Sequence, residues 1–185
     1  MIINLGAGLD TRFYRVDNQK ILWYDVDLPR VMDIREELIP HHDRVLSIKG
    51  SILEKEWINK VKEESRPVLI IIEGVLQFFK KEEAQFVLDY LAERFPGAYV
   101  LFDLCAEEVL RDPKLMKKLT KSDTLFQWGE DDPKEVERMN AQYQLLDFIH
   151  LADRMHLKMK IMAIASKLPK VRKLSGKVAL YQIKK

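Results

Sequence analysis

The chain has 185 residues, 47% of them hydrophobic and 32% charged, enough for one soluble domain with a sizeable apolar core. Its 31 basic and 29 acidic residues leave a net charge of +2, poor grounds for a nucleic-acid binder, whose basic patch unbalances the total. No apolar run exceeds five residues and Cys105 is the single cysteine, which excludes a helical membrane span and an internal disulfide. The opening residues carry no basic stretch followed by a long apolar one, so no secretory leader is expected, and the expected compartment is the reducing cytosol.

In chain order, Ile2 to Leu5 reads as a short strand ending at the turn Gly6-Ala7-Gly8, and a helix starts at Asp10-Thr11-Arg12. Ile21 to Asp27 reads as a second strand. From Leu28 to Ile39, the spacing of Val31, Ile34 and Leu38 predicts a helix with Pro29 in its first turn and Pro40 as its stop. Arg44 to Ser51 is a third strand, followed by a polar helix from about Glu54 to Ser65, and Val68 to Ile72 is an apolar run fit for a strand covered on both faces. Ala84, Val87, Leu88, Leu91 and Phe95 make one stripe of a helix over Glu82 to Phe95; Pro96-Gly97 ends it, and Ala98 to Leu104 is the fifth strand. Ala106 to about Met155 is charge-rich and reads as a helical insertion. Leu157 to Ser166 and Lys177 to Ile183 read as two late strands, the second after Ser175-Gly176. This alternation predicts an α/β fold: a doubly wound, mostly parallel Rossmann-like sheet in a single domain over 1–185, with an antiparallel hairpin at one edge and residues 106–155 as a cap over a substrate.

In such sheets the ligand sits beyond the carboxyl ends of the strands, where the first turn lies. Gly6 and Gly8 let the backbone turn sharply and approach a ligand closely. Nineteen residues after Gly8 stands Asp27, at the end of the second strand, where a carboxylate can accept hydrogen bonds from both hydroxyls of a ribose. Asp25 is expected to point the other way by strand alternation. The turn lacks the third glycine of the dinucleotide pattern, which tilts the ligand from a dinucleotide, and hence a nucleotide-dependent oxidoreductase, towards S-adenosylmethionine, which has no pyrophosphate to seat.

Three segments together, Asn4-Leu5-Gly6-Ala7-Gly8-Leu9-Asp10-Thr11-Arg12, Tyr24-Asp25-Val26-Asp27-Leu28-Pro29 and Ile72-Glu73-Gly74-Val75-Leu76, resemble the leucine carboxyl methyltransferase family, in its bacterial and archaeal branch of tetracenomycin polyketide methyltransferase type. Phe126-Gln127-Trp128-Gly129 with Asp131-Asp132-Pro133 is similar to that branch's insertion. The resemblance implies a class I methyltransferase fold with S-adenosylmethionine as donor and S-adenosylhomocysteine as product. It matches Gly6 to the family's glycine-turn contact, Asp27 to its ribose-binding acid, and Glu73 to a glutamate near the cofactor. Ser51-Ile52 stands where family members carry an Asp-Leu pair near the adenine, and a serine hydroxyl binds an amine more weakly than a carboxylate does. Family members also carry a helical region before the first motif, whereas this chain opens at Met1 directly on a strand. Either it is a fragment, or its pocket is open on one side and it binds the cofactor without turnover.

The candidate cofactor-binding residues are therefore Gly6, Ala7, Gly8, Asp10, Arg12, Asp27, Leu28, Ser51, Ile52, Glu73 and Gly74. Asp10 and Arg12 read equally as a helix cap with a surface arginine. Glu73 follows five apolar residues, where a buried charge without a partner is costly, which favours a functional role. Phe126 and Trp128 either line a substrate pocket or pack the insertion. His41-His42 read as a solvated turn, His150 and His156 as structural, Cys105 as a small buried hydrophobe, and the lysines from Lys158 to Lys185 as a solvated sheet edge; no ligand set for a metal is complete. A carboxylate acceptor is already ionised at neutral pH and needs no general base, and no residue stands out as one, so O-methylation of a carboxylate or acidic hydroxyl of a small molecule is expected.

Overall fold

The computed structural model describes residues 1–62, 66–120, 125–154 and 174–185. Among them seven strands form one sheet: β1 (Ile2–Leu5), β2 (Trp23–Asp27), β3 (Val45–Lys49), β4 (Leu69–Ile72), β5 (Tyr99–Leu104), β6 (Tyr143–His150) and β7 (Lys177–Ile183). Their spatial order is β3-β2-β1-β4-β5-β7-β6. The first five strands pair in parallel, and β7 enters antiparallel between β5 and β6. The doubly wound parallel sheet with an antiparallel edge is thus the observed architecture.

Both faces of the sheet are covered, which is why its central strands are mainly apolar, with Asn4 of β1 and Asp25 of β2 as buried polar exceptions. On one face Ile3, Leu5, Val26, Ile70, Ile72, Val100 and Phe102 pack with Ala84, Val87, Leu88 and Leu91 of α3 (Lys81–Arg94). On the other, Trp23 and Ile71 pack with Phe13 of the short helix α1 (Arg12–Val16). The α3 stripe faces inward as its spacing predicts, and the Glu83 carboxylate caps the helix by accepting the Lys80 N–H at 2.9 Å. After β5 come α4 (Glu107–Arg111), α5 (Pro113–Thr120) and α6 (Glu135–Met139).

Three expectations change. The helix after β2, α2 (Pro29–Leu38), turns a different face inward. Its buried residues are Met32 and Arg35, while Ile34 and Leu38 are 45% and 63% exposed. A charged side chain displaces the apolar stripe because a buried carboxylate, Asp25, requires it. The polar helix expected from Glu54 is a 3₁₀ turn, Glu56–Lys60, anchored by buried Trp57 and Ile58. The hairpin partner of β7 is Tyr143–His150, inside the stretch that reads as helical; the strand expected over Leu157–Ser166 lies outside the described residues, as does His156. A β-bulge between Leu145 and Asp147 breaks the period-two alternation that marks a strand in sequence.

Aromatic packing fixes the antiparallel edge. Phe102 of β5 stacks on Tyr181 of β7 with ring centroids 4.9 Å apart, and the hydroxyls of Tyr143 and Tyr181 donate to the carbonyls of Leu88 and Pro133, each at 2.8 Å. Because Phe102 is wholly buried, Phe102→Ala is expected to cost about 3–5 kcal/mol, read as a lowered urea midpoint with little change in the slope of the transition.

Candidate functional site

The strand order reverses between β1 and β4, so the loops that leave their carboxyl ends diverge and open a crevice. The crevice is a cavity of about 530 Å³ lined by Gly6, Gly8, Asp27, Leu28, Val31, Gly50, Ser51, Ile52, Gly74, Val75, Phe78 and Phe79. Four strand ends, those of β1 to β4, contribute to it.

Gly6 is demanded twice over. Its φ of +71° is a left-handed conformation, and a Cβ there would stand 2.1 Å from Cγ2 of Val75 on the β4 loop. The close approach of the two loops therefore requires a residue without a side chain. The amides of Gly6 and Ala7 both donate to the Val26 carbonyl, at 2.8 and 3.2 Å, which folds the turn back over the end of β2.

Asp27 closes the turn from the other side. Its Oδ2 accepts the Gly8 N–H at 2.8 Å and its Oδ1 the Leu28 N–H at 2.7 Å. Each oxygen retains a further acceptor site, so the carboxylate is held rigid while still able to receive two hydroxyls. The Asp27 carbonyl accepts the Gly50 N–H at 2.9 Å, tying β2 to the loop after β3. In that loop the Ser51 hydroxyl oxygen accepts the Leu53 N–H at 3.2 Å and keeps its own proton to donate. The Ile52 carbonyl is held by the Tyr90 hydroxyl of α3 at 2.6 Å.

The β4 loop is fixed by Asp103, at the end of β5, whose Oδ1 accepts the Gly74 N–H at 2.8 Å and whose Oδ2 accepts from Gln77 Nε2 at 3.3 Å. Burial pushes the Asp103 carboxyl above its ordinary range, against the opposing pull of the Gly74 amide; the nearby Glu73 adds to the rise.

Seven candidate residues, Gly6, Gly8, Asp27, Leu28, Ser51, Ile52 and Gly74, thus share one cavity wall. Ala7 is buried behind the turn. Asp10, Arg12 and Glu73 form an ion cluster outside the lining: the Arg12 guanidinium pairs with Glu73, Arg12 Nη1 lies 3.6 Å from Asp10 Oδ2, and Asp10 Oδ1 accepts the Arg12 N–H at 2.8 Å. Glu73 is not the buried charge its apolar neighbourhood suggests. Its side chain is 58% exposed, and the Arg12 bridge spans the loops after β1 and β4.

Phe126 meets the cavity only through Phe78, whose ring it touches edge-on at 5.1 Å; Trp128 is buried in the main core. The strap that carries them is bonded to the 3₁₀ turn Leu76–Phe78: Gln127 N donates to the Gln77 carbonyl at 2.7 Å and Gln127 Nε2 to the Phe78 carbonyl at 2.6 Å. His41 is exposed, whereas His42 packs against Phe13 and accepts the Arg44 N–H, and His150 lies on β6 rather than a helix. Burial lifts the Cys105 thiol to about 11, with Asp103 and Asp131 adding to it, which leaves no thiolate for nucleophilic attack. Among the described residues no cluster of three metal-ligating side chains occurs, and no helix is long and apolar enough to cross a membrane.

Val31, Gly50, Val75, Phe78 and Phe79 were not legible as lining residues, since apolar side chains at a crevice read like any core positions. Asp25 does not point the other way from Asp27 as expected: residues two apart share a strand face, so Asp25 lies on the same side as Asp27, one repeat deeper. It is fully buried and bonded to Asn4 Nδ2 at 2.9 Å, Trp23 Nε1 at 2.8 Å and Arg35 Nη2 at 2.6 Å.

Residues 1–92 match the leucine carboxyl methyltransferase family. The chain is similar to the tetracenomycin polyketide synthesis O-methyltransferase TcmP of Streptomyces glaucescens, 29% identical over 160 residues that make up 83% of this chain and 59% of that protein. It therefore spans about three-fifths of that relative's length. In fold it is similar to a DUF574 family protein of Streptomyces avermitilis, with a TM-score of 0.69 at 13% identity, covering 100% of this chain and 75% of the other. It is also similar to the N-methyltransferase NodS of Bradyrhizobium japonicum in complex with S-adenosyl-L-homocysteine, with a TM-score of 0.62 at 10% identity over 100% of this chain and 78% of the other.

Asp103 gives the site's scaffold a pH signature. Its folded pKa stands above the ordinary 3.8, so the folded chain holds the extra proton between the two values; that stability is present at lower pH and is lost as pH rises through the folded pKa. Melting temperatures taken from about pH 4 to 7 are expected to show Asp103→Asn gaining on the wild type as pH rises.

Proposed function

We propose that the chain, whose residues 1–92 match the leucine carboxyl methyltransferase family, is an S-adenosylmethionine-dependent O-methyltransferase acting on a carboxylate or acidic hydroxyl of a small molecule. The observation that carries this reading is Asp27. Both its oxygens are held by backbone amides at the mouth of an apolar crevice, and each keeps an acceptor site for one hydroxyl of a ribose. The cavity suits the rest of an adenosine: Leu28, Val31 and Ile52 offer apolar walls to a purine, and the Ser51 hydroxyl has a proton to donate to a ring nitrogen. Gly6, Gly8 and Gly74 leave room for close backbone approach. Arg12 and Glu73, adjacent at the rim, present the two charges complementary to the carboxylate and ammonium of an amino-acid end.

When bound, the sulfonium supplies a methyl group already activated for in-line displacement, so the protein's task is positioning and the exclusion of water. Val75, Phe78 and Phe79 form the dry side of the crevice. The strap that carries Phe126 and Trp128 acts as the cap on the acceptor side, and the Phe126–Phe78 contact transmits its position to the cavity, whereas residues 143–150 of the expected cap are β6 at the far edge of the sheet. Asp27 is the one titratable side chain lining the cavity among the described residues, and it is committed to the ribose. An acceptor that is already anionic at neutral pH requires no base there, which is why a carboxylate is favoured over an ordinary phenol of pKa about 10.

Calorimetric titration with S-adenosylhomocysteine is expected to give a Kd on the order of micromolar, weakened roughly 100-fold in Asp27→Ala, since hydrogen bonds to a charged group are at stake. Arg12→Gln is expected to weaken S-adenosylhomocysteine while leaving 5′-methylthioadenosine, which lacks the amino-acid end, unchanged. With a carboxylate acceptor, kcat/KM should be flat from about pH 6 to 8. A folded chain that binds neither nucleoside would sink the reading.

A further inference from the structure

One charged pair inside the fold has no place among the lining residues and yet touches the cofactor turn. Arg35, on α2, is 4% exposed, and Asp25, on β2, is 0% exposed. The guanidinium forks: Nη2 donates to Asp25 Oδ2 at 2.6 Å, and Nη1 donates to the Gly8 carbonyl at 3.0 Å. The second oxygen of Asp25 is filled by Asn4 Nδ2, from β1, and by the indole of Trp23. Asn4 Nδ2 also lies 3.4 Å from Asp10 Oδ2, at the start of α1.

A buried ion pair is weak evidence for stability by itself, because desolvation of both charges offsets their attraction. This pair makes a specific connection instead. Gly8 is held at two points, by Asp27 through its N–H and by Arg35 through its C=O. With φ at +47° and open space where a Cβ would stand, Gly8 has no side-chain packing to hold it. Together with the Asp10 N–H, which donates to the Ala7 carbonyl at 3.0 Å, these two hydrogen bonds define the peptide planes on either side of it.

We propose that Arg35 is a positioning residue for the cofactor turn: anchored on Asp25, it fixes the Gly8 carbonyl and so presents the turn and the Asp27 carboxylate in binding geometry. The inference rests on the reading of the crevice as an adenosine site. It assigns Arg35 no contact with the ligand, and it requires an arginine. A lysine ammonium at the end of a single stem can neutralise Asp25, but it does not present two nitrogens in a rigid fork to Asp25 and Gly8 together.

Arg35→Lys is the test, with three measurements on the whole chain: melting temperature, calorimetric titration with S-adenosylhomocysteine, and hydrogen exchange of the Gly8 amide without ligand. A near-wild-type melting temperature, affinity weakened about tenfold or more, and faster Gly8 exchange are expected. A second variant, Asp25→Asn with Arg35→Gln, removes both buried charges at once and should show the same two losses even if the lysine variant folds poorly. Wild-type affinity together with wild-type Gly8 exchange in a folded variant would overturn the proposal, as would losses that merely track the melting temperature. If the wild type itself binds no S-adenosylhomocysteine, the adenosine reading fails, while the Gly8 exchange rates still decide whether Arg35 holds the turn.

Discussion

A carboxylate in the middle of a sheet cannot be left alone. Asp25 is wholly buried, and an uncompensated charge there would cost several kcal/mol, so the surrounding structure is arranged to satisfy it. Two neutral partners serve one of its oxygens: Trp23, two residues back on the same face, and Asn4 on the neighbouring strand. Neutralising Asp25 falls to Arg35, and to bring that side chain inward α2 must rotate its apolar positions Ile34 and Leu38 towards solvent. The orientation of a whole helix and the position of the Gly8 carbonyl both follow from one buried acid.

Carboxylates at strand ends and in the turn before α1 organise the rest of the site in the same way. Asp10, Asp27 and Asp103 each accept a backbone N–H of the β1 turn, the helix start or the β4 loop. Charge-assisted hydrogen bonds of this kind are short and directional, and they hold irregular backbone where no ladder can. The outcome is a crevice whose shape is set mainly by main chain, with apolar side chains lining it and one carboxylate exposed to a ligand. The Arg12–Glu73 bridge then links the two diverging loops, the one after β1 and the one after β4.

The long connection after β5 has a role in this arrangement that its composition hides. It returns as a strap bonded to the turn after β4, and its Gly129 lies so close to the β5 end that a Cβ would stand 2.6 Å from the Cys105 carbonyl. Trp128 is thereby drawn into the core and Phe126 against Phe78. The β4 side of the crevice mouth is in this way tied to the antiparallel edge, where the Tyr181 hydroxyl donates to the Pro133 carbonyl of the same segment.

Much of this is legible in the amino-acid sequence alone. Alternating apolar runs with Gly and Pro punctuation give the five parallel strands and the long helix α3, because burial on both faces and on one stripe leaves different periods. The glycine turn and Asp27 were readable too, since few residue types permit a tight left-handed turn or offer a carboxylate at a strand end. What tertiary structure alone decided was which polar groups face each other across distant segments. Arg35 looks like a surface residue of a polar helix until Asp25 is seen beneath it, and Glu73 looks buried until Arg12 is seen beside it. The bulged β6 likewise declares itself only through its pairing with β7. Local sequence encodes periods and turns, which are properties of neighbours along the chain; the pairing of charges and strand edges is a property of neighbours in space.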